Sequence, residues 1–297
     1  MKFFRSCHPY AIVTVVFWSL AFVFTRIASQ AFTVFSLGFL RYLFATLALI
    51  PVVIAARLPL PRLRDLPWFV GSGFCGFFLY TITFTKGSTL VSAASGSVLI
   101  AVAPVLTACW ARLLFREKLA GFQWLAILLE FGGVGLLALL GGPLSLNQGM
   151  VWMLAAALSM SLYNLFQRRL TRTYSGLQAA AYSIFAGVLM LSVFAPGAFR
   201  ELARAPLSPI LNLAALGVLC SALAYATWAA AFAHAAKTSV VSNYMFITPF
   251  LTALFGFLFL GEGLDLPTAL GGSVILTGVF LFQFGGTLLG HWRQVEK

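Results

Sequence analysis

Ala103–Leu119 reads APVLTACWARLLFREKL, and Thr248–Leu264 reads TPFLTALFGFLFLGEGL. The two align without a gap. Pro104, Leu106, Thr107, Ala108, Leu113, Glu117 and Leu119 return as Pro249, Leu251, Thr252, Ala253, Leu258, Glu262 and Leu264, each 145 positions on. The echo extends beyond the phrase: Tyr80 and Gly133 return at the same spacing as Tyr225 and Gly278, while Ser19-Leu20 and Phe24 return 142 positions on as Ser161-Leu162 and Phe166. Matches of Leu and Ala are cheap in a greasy sequence; matched Tyr, Pro and Glu are not. The chain therefore reads as two copies of one unit, residues 1–143 and 144–297.

The unit is not a soluble one. Of 297 residues, 61% are apolar and 9% charged, against about a quarter charged in soluble domains. Apolar runs reach the roughly 20 residues that a helix needs to cross a bilayer one after another. Ten such spans are expected near 10–29, 35–56, 68–86, 92–115, 122–140, 149–168, 177–195, 208–233, 239–260 and 267–289. Short loops with proline or glycine, such as Leu58-Pro59-Leu60-Pro61, separate them. Lys2 and Arg5 precede the first run, which continues past signal-peptide length to Phe24-Thr25-Arg26 without a small-residue cleavage site; it reads as an uncleaved first span.

The net charge of +12 raises the question of a nucleic-acid partner. The placement of the charges answers it. With the N-terminus inside, the inner loops and ends collect fourteen basic residues, among them Arg57, Arg62, Arg64, Arg116, Lys118, Arg168 and Lys237, whereas Arg26, Lys86, Arg200 and Arg204 fall outside. Basic loops remain cytoplasmic, so both termini are expected there, and the charge is explained by topology with no nucleic acid.

Five spans per copy is an odd number, so the second copy enters the membrane from the opposite side: Glu117 ends span four inside and Glu262 ends span nine outside. Such inverted repeats are common in secondary transporters, with the substrate site near the midplane between them. Pro104 and Pro249 are expected near the middle of spans four and nine, where each frees a carbonyl, that of Ile100 or Met245. A freed carbonyl in lipid must face protein or a wet cavity, so these positions read as kinks and as candidate gate hinges. The small residues Ser92-Ala93-Ala94-Ser95-Gly96-Ser97 allow close helix approach.

FWSLAFVFTR in span one, FLRY in span two, Tyr80, and the SAAS…AP…E run with its second copy resemble the drug/metabolite transporter superfamily, EamA type. The resemblance covers nearly the whole chain. It implies an all-α integral membrane fold of ten helices in two inverted five-helix repeats, with a cavity lined by spans one, three, four, six, eight and nine. It also implies a metabolite cargo and, for a bacterial chain of this length, export across the inner membrane.

On the cavity-forming spans the polar and aromatic candidates are Trp18, Tyr80, Asn164, Tyr225, Trp228, Asn243 and Tyr244. Aromatic walls with a few hydrogen-bonding groups suit an amino acid with an apolar side chain, or an amphipathic drug. Trp and Tyr also serve as interfacial anchors. Glu130, within span five, is an intramembrane carboxylate, and reads either as a proton-coupling group or as a structural partner, with Arg41 the nearest basic candidate. Arg41 reads as an anion contact or, more plainly, as a side chain snorkelling to the outer headgroups. Glu117 and Glu262 at helix ends suit ion pairing or gate closure.

Gly71-Ser72-Gly73-Phe74-Cys75-Gly76 matches GxGxxG but lies within a span, with no acid between Asp65 and Glu117, so it reads as helix packing and not a dinucleotide site. Cys7, Cys75, Cys109 and Cys220 are scattered, as are the three histidines, and no metal site, catalytic residue, P-loop or cofactor is expected. The expected partners are a small-molecule substrate and the bilayer, with both repeats in one chain allowing function as a monomer. Drug efflux is the alternative; a channel or an intramembrane enzyme stands behind it.

Overall fold

The computed structural model describes residues 6–88, 90, 99–140, 148–260 and 266–295, and every regular element among them is helical. In order these are α1 (His8–Ala28), α2 (Val34–Ala55), α3 (Leu63–Gly87), α4 (Val102–Phe115), α5 (Gly121–Leu140), α6 (Gln148–Leu170), α7 (Gly176–Leu202), α8 (Leu207–His234), α9 (Thr238–Phe259) and α10 (Leu266–Val295). Among the described residues α1, α2, α3, α6, α7, α8 and α9 are long and apolar enough to cross a bilayer, while α4 and the apolar stretches Gly121–Leu136 of α5 and Leu270–Gly286 of α10 are shorter. Each expected span overlaps one of these helices, but α7 runs seven residues and α10 six beyond the expected ends. Span four was expected from residue 92, but residues 91–98 lie outside the described set.

Polar side chains are enclosed among the apolar core, while many large apolar ones face outward. Glu130, Asn164, Gln167 and Thr107 are fully enclosed, while Ile54, Leu128, Val151 and Leu189 are 64–73% exposed. That distribution would be costly in water and suits hydrocarbon, where only buried polar groups find partners.

Helices α3 and α8 each contain a π-helical stretch, Phe74–Leu79 and Val218–Leu223, at nearly the same place in the two copies. Helix α9 is likewise broken: an α turn over Thr238–Ser242, a 3₁₀ stretch over Asn243–Phe246, then α-helix from Ile247. Pro249 lies near the middle of α9 as a whole, but each proline stands in the first turn of an α-helical segment. Pro104 is the third residue of Val102–Phe115, and Pro249 the third of Ile247–Leu260. Proline is tolerated in a first turn, where its missing N–H has no intrahelical carbonyl to meet. Each proline therefore begins a new helical segment just after an interruption, at Ala101 and at Asn243–Phe246.

Packing exchanges partners between the copies. Helix α1 lies against α8 and α9, and its counterpart α6 lies against α3 and α4; α5 runs along α10 and α2 along α7. The α5–α10 seam is tight because of Gly133 and Gly278. A Cβ on Gly133 would stand 2.8 Å from the Gly271 carbonyl oxygen, and one on Gly278 would meet Glu130 and, at 3.1 Å, the Ala126 carbonyl. The GxGxxG glycines also serve packing, as expected: Gly71 and Gly76 face the rings of Phe166 and Tyr163, and Gly73 faces the α7 backbone at Ser183 and Gly187.

Candidate functional site

Aromatic residues from both copies converge where α1, α2, α3, α6 and α8 meet. Tyr225 of α8 is central. Its ring lies 5.2 Å from Trp18, 4.8 Å from Phe77 and 5.5 Å from Tyr163, and its hydroxyl is 3.5 Å from that of Tyr42. One α-helical turn on, Trp228 lies 4.9 Å from Trp18 and donates its indole N–H to Asn164 Oδ1 at 2.9 Å. The Asn164 amide donates to Thr107 Oγ1 at 3.2 Å and approaches the Met245 sulfur at 3.8 Å; Thr107 in turn donates to the Ala103 carbonyl beside Pro104. Within this cluster the Trp18 indole N–H and the Tyr163 hydroxyl are buried without a hydrogen-bond partner.

Four of the seven expected cavity residues, Trp18, Asn164, Tyr225 and Trp228, thus form one group. Tyr80 stands next to it, half-buried and stacked on Phe84. Asn243 and Tyr244, in the 3₁₀ break of α9, bond elsewhere. Asn243 donates to Glu130 Oε2 at 2.6 Å and accepts from Gln283 at 3.3 Å. Tyr244 shares a 2.7 Å hydrogen bond with His8 Nδ1, beside a 430 Å³ groove between α1, α9 and α10. Sequence reasoning missed Tyr42, Phe77, Tyr163 and Thr107. Tyr42 and Tyr163 sit one residue from named candidates, and Thr107 was visible in the repeated phrase.

Arg41 and Glu130 do not pair. Glu130 is held by Asn243, and its Oε1 has no partner. Nor does Arg41 reach outward to headgroups. Its Nε donates to Ser221 Oγ at 2.6 Å and its Nη2 to the Cys220 carbonyl at 3.3 Å, both in the π-helical stretch midway along α8. Its guanidinium carbon lies 5.4 Å from the Tyr42 ring centroid. The snorkelling reading fails because the π stretch offers an inward acceptor: a wider turn leaves carbonyls without regular partners.

One end of the bundle is stapled by hydrogen bonds from charged side chains. Arg116 takes a left-handed conformation, φ 55°, which ends α4, and the N–H of Glu117 returns to the Ala111 carbonyl, a Schellman-type closure. Glu117 is thereby aimed at the start of α9. Its Oε1 accepts the Thr238 N–H and hydroxyl, both at 2.7 Å, and its Oε2 accepts the Ser239 N–H and hydroxyl at 3.4 and 3.3 Å. Arg168 at the end of α6 donates to the carbonyls of Phe232, Ala235 and Ala236, closing the end of α8. Lys237 donates to the Lys118 carbonyl at 2.6 Å. Glu262, the repeat mate of Glu117, lies outside the described residues.

The family model described as the EamA-like transporter family matches this chain twice, at residues 5–139 and 147–284. An uncharacterized transporter of Bacillus subtilis, YdfC, is 31% identical over 88% of this chain and 86% of its own. A protein of Streptantibioticus cattleyicolor named "Probable terminal-alkyne amino-acid exporter" is 29% identical over 96% of this chain and 95% of its own. A solved crystal structure, 19% identical, covers 94% of this chain and 97% of the other with a TM-score of 0.76, a likeness of fold alone. With its apolar helices, the chain is a multi-pass integral membrane protein.

Proposed function

The chain belongs to the EamA-like transporter family, and from that premise we propose that it is a secondary transporter that exports a small metabolite, an amino acid or a close relative, by alternating access. In this reading ten spans form two inverted five-helix repeats, residues 1–143 and 144–297, in a bacterial plasma membrane with both termini cytoplasmic. The observation that carries it is the paired interruption of matched helices around one aromatic cluster: π stretches at Phe74–Leu79 and Val218–Leu223, and α-helical segments restarting at Val102 and Ile247, 145 positions apart. Helices broken near their centres give each repeat a place to bend, and an inverted pair has two related packings, one open to each side. The amino-acid exporter among its relatives supports the cargo class.

The stapled end is then the cytoplasmic gate in its closed state. Glu117, Arg168 and Lys237 hold α4, α6, α8 and α9 together through hydrogen bonds from charged groups to backbone, which water can replace when the gate opens. Glu130 is the proposed coupling group: an enclosed carboxylate with one oxygen unpartnered, tied through Asn243 to the break in α9. The test is transport by reconstituted protein with and without a pH gradient. In Glu130→Gln the gradient no longer drives net flux while gradient-free exchange continues; gradient-driven flux at the wild-type level removes Glu130 from the mechanism.

A further inference from the structure

Arg41 poses a problem of charge. Its guanidinium is bonded midway along α8, where Ser221 stands 14 residues from Leu207 and 13 from His234, about 20 Å of helix from either end. A cation at such a place is costly unless a counter-charge meets it. Among the described residues none does: Asp65 accepts from Tyr174, Glu117 from Thr238 and Ser239, Glu130 from Asn243, and Glu201 from Thr33. Glu262, Asp265 and Glu296 lie outside the described residues. The hydrogen bonds of Arg41 to Ser221 and Cys220 are both to neutral acceptors.

A second observation points the same way. The aromatic cluster beside Arg41 has donors to spare. The Tyr42 ring lies beneath the guanidinium and its hydroxyl meets that of Tyr225. Around Tyr225 stand Trp18 and Tyr163, whose indole N–H and hydroxyl are buried with no acceptor. A buried donor without an acceptor forfeits a hydrogen bond, and both donors lie in the aromatic cluster that Arg41 adjoins through Tyr42 and Tyr225, where an acceptor-bearing cargo would supply what they lack.

We propose that Arg41, beside the Tyr42 and Tyr225 hydroxyls, forms the recognition site for the carboxylate of an apolar-bodied monocarboxylate cargo. A guanidinium takes a carboxylate with directed, charge-assisted hydrogen bonds, and the rings of Trp18, Phe77, Tyr225 and Trp228 receive the apolar body. The same cation disfavours lipophilic cations, which separates this cargo from a typical cationic drug. The inference deepens the transporter reading and rests on it for the meaning of the bound acid, but its test reads binding alone.

The test is thermal stabilisation of the purified full chain in lipid nanodiscs by matched pairs: phenylacetate and phenylacetamide, octanoate and octanamide, L-phenylalanine and L-phenylalaninamide. In the wild type at least one acid stabilises saturably, and its amide needs about 10- to 100-fold more ligand for the same shift, the range expected for hydrogen bonds to a charged group. In Arg41→Gln the acid and amide converge to within about twofold, and Arg41→Lys retains part of the preference. The wild-type comparison decides even if Arg41→Gln fails to fold. Acids and amides acting alike, no acid acting at all, or an acid preference that survives in Arg41→Gln overturns the proposal. Binding of amides or cations in place of acids would do so while leaving transport intact, and loss of exchange activity is read separately by counterflow.

Discussion

Asn164 is the residue on which the two copies meet most closely. It accepts from Trp228 and donates to Thr107 with no exposure, so it links α6, α8 and α4. In Asn164→Ala the Trp228 N–H loses its acceptor in a closed site, a cost of about 1–3 kcal/mol, and the aromatic cluster loses its register. The expected outcome is a lower melting temperature together with reduced exchange; wild-type values for both would show that the amide positions nothing. Asn164 was legible in the sequence because a deep amide needs a partner. Asn243 satisfied the same rule, yet its partners are Glu130 and Gln283. The rule says that a partner exists but not on which side of the helix, because the 3₁₀ break over Asn243–Phe246 changes the angular spacing of side chains along α9. Arg41 offers two readings in the sequence, an anion contact and a side chain reaching outward, for a similar reason: nothing in its own neighbourhood announces a π stretch on α8.

At the scale of elements, the account turns on helix ends and seams. Glu117 reaches α9 only because Arg116 ends α4 in a left-handed turn, and its carboxylate then meets two N–H groups and two hydroxyls at the first turn of the next repeat's helix. Such contacts of a carboxylate with a helix start stabilise by about 0.3–2 kcal/mol. Glu117→Ala is expected to loosen that end. With the native cysteines replaced and a cysteine placed at the enclosed Thr107, a membrane-impermeant thiol reagent applied from the α4–α9 end should react faster in Glu117→Ala than in the parent; equal rates would mean that Glu117 does not hold the gate. The α5–α10 seam is the rigid counterpart. Gly278→Val places a side chain against Glu130 and the Ala126 carbonyl, an overpacking worth about 1–3 kcal/mol, and its expected mark is lost thermal stability, read by the midpoint of unfolding in nanodiscs. The repeated Gly133 and Gly278 were visible as a spacing, but which helix they face follows only from the packing. Likewise the prolines were visible, while their place in the first turn of a restarted helix depends on where the preceding segment breaks.

At the scale of the molecule, composition and the 145-residue echo made the membrane class and the doubled unit readable before any coordinates, since apolar run length and charge placement are one-dimensional properties. The exchange of partners between copies, α1 with α8 and α9 and α6 with α3 and α4, is three-dimensional, and so is the cluster it creates. The proposed orientation has its own check: cysteines at Leu60 and Arg204 should label from opposite faces of the membrane, with Leu60 on the cytoplasmic one, and labelling from the same face removes the inverted arrangement. The central claim, that this chain is a carrier turning over one cargo molecule per conformational cycle, is tested most directly by counterflow. Proteoliposomes loaded with a panel of unlabelled amino acids and related carboxylic acids are exposed to trace labelled compound. The account predicts transient, saturable uptake of at least one panel member, driven by the unlabelled pool inside. Uptake that does not depend on that pool and does not saturate would contradict a carrier and indicate an open pathway, and no uptake of any member by folded protein would contradict the proposed cargo class.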